Sequence, residues 1–230
     1  MIGAVRVAKR TIAHACAGTL LLLATTASPA RAQVDFGLYA GPTIATFTGS
    51  YVDRAIRTWG FTGAAFVEWH LSRHWSVEAG FGLAQMGAFE VESPLHEEAY
   101  DYRTSNLVIP VAAVYRARLG GAGWDFRAFA GGAPAFNSSC DVKPSTQFSF
   151  DEECSAESPG GELAGSDILI QFGIGVDRVF AGGSGLGFDA RYSIGTSSLF
   201  SEAEDNGLTA KNGVLDIKFR FFLPLAGPRQ

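Results

Sequence analysis

From residue 35 onward, apolar and polar side chains alternate with a period of two in eight runs, and no window sustains a helical period. Successive side chains on a strand point to opposite faces, so this alternation predicts strands with one apolar and one polar face. The runs are 35–47, 59–70, 75–89, 104–118, 124–136, 166–180, 185–197 and 212–224, separated by clusters of Gly, Ser, Asn, Asp and Pro. Long connections at 48–58, 90–103, 137–165 and 198–211 alternate with short ones at 71–74, 119–123 and 181–184. An even number of strands joined in this way, with both ends at the short-turn rim, is the plan of a bacterial outer-membrane barrel.

The two faces separate a soluble barrel from a membrane one. One face reads Phe36, Leu38, Ala40 and Ile44 in the first run, and Ile168, Ile170, Phe172 and Ile174 in the sixth. It ends with Leu215, Ile217, Phe219 and Phe221, and no charge falls on it in any run. The other face carries Glu68, Glu78, Arg116, Arg118, Asp125, Arg127, Asp177, Asp189, Arg191, Asp216, Lys218 and Arg220. A soluble ligand-holding barrel would place large apolar residues inside and charges outside. Here the uncharged face suits lipid, because an Arg or Lys at mid-bilayer costs about 2–4 kcal/mol, and closure leaves no strand edge in hydrocarbon. Trp69, Trp75 and Trp124 lie beside short turns, and Phe47, Trp59, Phe89 and Phe136 beside long loops. Two such rows are expected at the membrane interfaces, whereas a β-sandwich gives no reason for aromatics at strand ends. The expected fold is all-β, an eight-stranded antiparallel up-and-down transmembrane β-barrel.

Composition excludes most alternatives. Of 230 residues, 47% are hydrophobic and 18% charged, too apolar for a disordered chain. Residues 1–32 read as an export signal, with Arg6, Lys9 and Arg10 ahead of an apolar Thr19–Thr26 run and a small-x-small site at Ala30-Arg31-Ala32. The apolar run is too short to span a membrane as a helix. Cleavage before Gln33 would leave a barrel domain over 33–230, remove four basic residues and take the net charge from −5 to −9. Nucleic-acid binding then has no electrostatic basis. Cys16 would leave with the signal, so Cys140 and Cys154 remain. In an oxidising compartment they are expected to bridge, a closure worth about 3 kcal/mol.

Several stretches carry a family resemblance. They are Asp189-Ala190-Arg191-Tyr192-Ser193-Ile194-Gly195-Thr196, Trp75-Ser76-Val77-Glu78 running to Gln85-Met86-Gly87-Ala88, Leu107-Val108-Ile109-Pro110-Val111 and Gly173-Ile174-Gly175-Val176. In this order the sequence resembles the PorT-like family of outer-membrane β-barrel proteins over essentially the whole exported chain. The resemblance implies a barrel and no single biochemical activity. Val108 stands at a lumenal position where the family often carries Glu, and the chain runs on past Phe222 to Gln230.

Among the polar residues, Glu68 and Glu78 flank the 71–74 turn and oppose each other if Leu71 pairs Trp75. Two close carboxylates could share a proton; alternatively Arg116, Arg118 and Arg127 reach across the lumen to pair with them. One register of the last two strands sets Asp189 against Lys218 and Arg191 against Asp216. These charges would form a plug, since eight strands enclose little more than side chains, or else a proton or ion path. Neither a catalytic nor a cofactor-binding residue is identified. His70 and His74 lie at one rim and His96 at the other, so they supply no converging zinc set. Asp151-Glu152-Glu153 lacks calcium-loop spacing. The four long loops hold fifteen Asp and Glu against five basic residues.

The sequence thus predicts a non-enzymatic outer-membrane barrel with a lumen plugged by ion pairs and acidic loops outside. Its partners would be outer-membrane lipid and lipopolysaccharide, the barrel-assembly machinery, and an extracellular or envelope protein. The alternatives are a narrow transporter or ligand-binding barrel, and a lipid-modifying enzyme built on His96 with a loop Ser and acid.

Overall fold

The computed structural model describes residues 33–120, 123–147, 152–155, 158 and 163–225; the expected export signal and Asp151 lie outside these residues. Among them the strands are β1 (Gln33–Thr48), β2 (Arg54–His70), β3 (Trp75–Ser93), β4 (His96–Val108), β5 (Val111–Leu119) and β6 (Trp124–Pro144). The chain continues with β7 (Glu152–Glu153), β8 (Ser166–Val179), β9 (Gly185–Gly195), a short helix α1 (Ser201–Asp205) and β10 (Lys211–Pro224).

All pairings in the barrel wall are antiparallel, and β1 pairs β10 from Asp35 opposite Pro224 to Thr48 opposite Lys211, which closes the ring. β4 and β5 occupy one place in the wall, both lying between β3 and β6, so the ring has eight positions as expected. The sequence predicts one strand over 104–118, and the structure interrupts it at Ile109-Pro110. Pro110 has no N–H to donate to the ladder. The neighbouring strands use the free groups there: the Gly80 N–H donates to Pro110 O at 2.8 Å and the Ile109 N–H to Pro134 O at 3.0 Å.

Four strands run well beyond their predicted ends, β2 by starting at Arg54. β3 and β4 continue into a hairpin that pairs Ser93 with His96, and β6 reaches Pro144, so parts of the predicted 90–103 and 137–165 loops are strand. A membrane-spanning strand needs about 9–11 residues, whereas β6 has 21. Above the hydrocarbon both faces meet water, and the alternation that marks a strand in sequence disappears. Arg103 is exposed on the outer face of β4 and marks this level.

The inside-outside assignment follows the alternation. Leu38, Phe81, Ile168, Ile174 and Phe219 are all more than half exposed, while the polar-face charges other than the rim pair Arg118 and Asp125 are buried. Trp59, Trp69, Trp75, Trp124 and Phe136 are exposed at the two ends of the outer face. Phe47 is a correction: it is buried inside the outer mouth against Tyr51, Tyr102 and Phe200, because its parity matches Tyr39 and Ala45 rather than Phe36.

The interior is filled in layers. Nearest the short turns lies a charged layer. In the middle, Ala45, Ala84, Met86, Val108, Ala133, Ala135, Leu169 and Val214 form an apolar cluster. At the outer mouth α1 and the flanking loops close over the aromatic cluster through Phe200 and Ala203. The sequence predicts a lumen blocked by ion pairs; hydrocarbon contact blocks the upper part.

Candidate functional site

The charged layer is built from polar-face residues on seven strands, one each from β2, β3, β5, β6 and β8, two from β9 and three from β10. Glu68 and Glu78 are directly opposed on β2 and β3, and four arginines lie between them and the facing wall. Arg116 clasps Glu68 through Nε and Nη2 at 2.9 and 2.7 Å and donates from Nη1 to Asp177 at 2.6 Å. Arg127 donates to both Asp189 oxygens, at 3.0 and 2.9 Å, and to Glu78 at 2.9 Å. Arg220 bridges Glu78, Asp189 and Glu68 at 2.8, 3.0 and 3.3 Å. Arg191 donates to Glu78 at 3.1 Å and to the Gln171 carbonyl oxygen at 3.3 Å. Lys218 pairs with Asp216 at 3.0 Å.

Five acids thus face five cations among the described residues. Moving an ion out of water costs several kcal/mol, and only close opposite charges with well-aimed hydrogen bonds offset that cost. Three of the four guanidinium groups also lie against a ring, Arg220 over Phe66 at 4.3 Å, Arg191 over Phe129 at 4.8 Å and Arg127 over Phe129 at 5.7 Å, where the negative face of the aromatic adds attraction. Lys218 sits 4.4 Å over Tyr39.

Glycine makes the room. Asp189 stands opposite Gly175, and Asp177 opposite Gly187. A Cβ on Gly175 would fall 2.0 Å from Asp189 Oδ1, and one on Gly187 2.1 Å from Asp177 Oδ1. Each short carboxylate therefore folds over the glycine facing it, which leaves the centre of the lumen to the longer arginines.

Two expectations are corrected. The register of β9 and β10 does set Asp189 opposite Lys218 and Arg191 opposite Asp216, but these facing residues are not the ion pairs. Asp189 is held by Arg127 and Arg220, Arg191 reaches Glu78, and Lys218 turns to Asp216 on its own strand. Long side chains in a narrow lumen meet partners across it, so strand neighbours do not determine pairing. Arg118 does not join the glutamates either; it lies at the rim, 3.9 Å from Asp125.

Sequence reasoning left Arg220 and Asp177 out of the network, although both stand on the polar face. Asp35 was also missed and pairs with His70 at 2.8 Å; its parity with Gly37 and Tyr39 was the available signal. His74 stacks on Tyr115, and among the described residues no three His, Cys, Asp or Glu groups converge on a metal position. Cys140 and Cys154 are disulfide-bonded with Cα atoms 5.4 Å apart. The bond fixes β7, which pairs with Asp141 and Val142 of β6 above the membrane.

A closed eight-position ring with an uncharged outer face and a charge-filled lumen agrees with the comparison of this sequence with protein families. The model of the outer membrane protein beta-barrel domain matches residues 26–201. The chain belongs to that family. It is an integral barrel of the bacterial outer membrane, and β10, which lies beyond the match, is the strand that closes it. Among solved structures it is similar to outer membrane protein OprG of Pseudomonas aeruginosa, with 14% identity, TM-score 0.48, and coverage of 84% of this chain and 97% of that one. It is also similar to Ail, the attachment invasion locus protein of Yersinia pestis, with 12% identity, TM-score 0.43, and 82% and 98% covered. The outer membrane enzyme PagL matches at 13% identity and TM-score 0.33, covering 84% of this chain and 99% of that one. No curated protein matches the sequence.

Proposed function

We propose that the protein is a closed, non-enzymatic surface barrel of the PorT-like kind, inserted by the barrel-assembly machinery. Its lumen serves stability, and its acidic outer loops make the contacts, with cationic envelope or extracellular proteins and with lipopolysaccharide through bridging divalent ions. The observation that carries this reading is the charge-balanced layer. Glu68 and Glu78, the pair best placed to act as acid and base, are each buried and held by arginines, and a buried carboxylate fixed between guanidinium groups stays paired and out of a substrate's reach. Above it, the apolar middle layer and aromatic cap support a lumen without a continuous water column.

Two measurements on purified, folded protein test the proposal. In planar bilayers the wild type gives no stable conductance, and incubation with lipopolysaccharide and phospholipid leaves their masses unchanged. Reproducible channel openings would replace this reading with a transporter, and a defined lipid mass loss would replace it with an enzyme.

A further inference from the structure

At the short-turn rim a polar pocket of about 500 Å³ lies between the 71–74 turn and the end of β5. The Arg116 N–H donates to His74 O at 2.8 Å, so β5 projects past the turn and carries Arg118 beside Arg73. Both arginines are exposed, and the lining also takes in His70, His74, Tyr115 and the lumenal Arg116, with Asp125 as its acid. The rim segments 71–74, 117–125 and 178–186 contain Arg73, Arg118 and Arg178 against Asp125 alone. This end is basic where the outer loops are acidic.

Tyr115 also lines a second depression of about 660 Å³ on the outer face. Its floor is Ala113, Ala128, Ala130 and Ala190, and Trp75, Phe172, Ile174 and Tyr192 stand around it. Trp75 meets Tyr115 edge to face at 5.3 Å, and His74 stacks on the same tyrosine at 6.1 Å. Tyr115 is thus common to a basic pocket at headgroup level and an apolar groove at acyl-chain level.

We infer that this composite site binds one anionic glycerophospholipid of the inner leaflet, with its phosphate between Arg73 and Arg118 and an acyl chain along the alanine floor. Charge complementarity selects the occupant. A zwitterionic headgroup carries an ammonium that the rim arginines repel, and a free phosphate would leave the groove unused. The inference is independent of what the lumen and outer loops do.

The test uses lipid-stripped, folded protein titrated with phosphatidylglycerol and phosphatidylethanolamine of identical chains, with adducts counted by native mass spectrometry. One phosphatidylglycerol is expected to bind per barrel, more tightly than phosphatidylethanolamine. Removing both arginines in Arg73→Ala/Arg118→Ala should weaken phosphatidylglycerol about 25-fold, at about fivefold per basic residue near an anionic headgroup, and leave phosphatidylethanolamine unchanged. Ala130→Phe, which fills the groove, should weaken both lipids. Equal affinity for the two lipids overturns the inference, as does full displacement of phosphatidylglycerol by inorganic phosphate, which would mean an anion site without a chain. A lipid-free dimer that Ala130→Phe abolishes also overturns it, because a second copy would then be the occupant. The arginine variant changes only exposed rim residues, so it remains decisive if the groove variant assembles poorly.

Discussion

Glu78 has three cations within 3.1 Å, whereas Asp216 pairs with Lys218, and this difference ranks the lumenal substitutions. Arg191→Ala leaves Glu78 with Arg127 and Arg220. Lys218→Ala strands a buried carboxylate, the situation that costs about 3–5 kcal/mol. Unfolding midpoints in detergent should therefore fall further for Lys218→Ala than for Arg191→Ala; the reverse order would contradict the pairing. Gly175→Val belongs at the same scale. Its side chain would occupy the position of Asp189 Oδ1 and push that carboxylate away from Arg127 and Arg220. The variant should lose several kcal/mol although it adds only apolar atoms, while Gly182→Val, in a turn with open space around it, should be neutral.

Among the elements, the outer hairpins are the parts least tied to the membrane. Asp101 sits where the β3–β4 hairpin meets β6. Burial there would raise its carboxyl, but the Glu90 N–H, the Ser145 hydroxyl and the Lys143 ammonium hold it below the usual carboxylate range. A depressed folded value means that the ionised form is preferred in the folded state. The stabilisation is thus fully present above the unfolded value of about 3.9 and lost as pH falls through the lower folded one. Limited pepsin digestion from pH 4 to pH 2 should show the hairpin opening toward the acid end, and Asp101→Asn should be open across the range. The disulfide acts on the neighbouring element. Cys140 and Cys154 should resist alkylation unless reductant is present, and Cys140→Ser should lower loop stability by about 3 kcal/mol. Labelling of both thiols in the native, unreduced protein would exclude the bond.

For the whole molecule, lipid facing is the property with the largest energetic consequence. Phe172→Arg or Ile217→Arg should each cost about 2–4 kcal/mol at mid-bilayer and reduce the heat-modifiable, assembled fraction, whereas Arg at Gly160, in the 137–165 connection, should be tolerated. Equal assembly of all three would contradict the outward assignment of β8 and β10. Export should leave a chain that begins at Gln33, which N-terminal sequencing of the outer-membrane form checks.

The sequence by itself determined the eight positions of the ring, the face each strand turns to lipid, the rim that carries the short turns and the cysteine pair, because each depends on local spacing or on a two-residue period that lipid enforces. The Glu68–Glu78 opposition was also legible, since a four-residue turn leaves few registers. Ion-pair partners were not, because an arginine spans the lumen and selects among carboxylates on several strands, a choice settled by which glycines leave space and which rings lie below. Nor could the alternation reveal the strand extensions above the membrane, where water wets both faces, or the apolar middle layer, whose alanines and valines look in sequence like any small residues. Tertiary structure decided these features because each depends on what faces a residue across the barrel rather than on its neighbours along the chain.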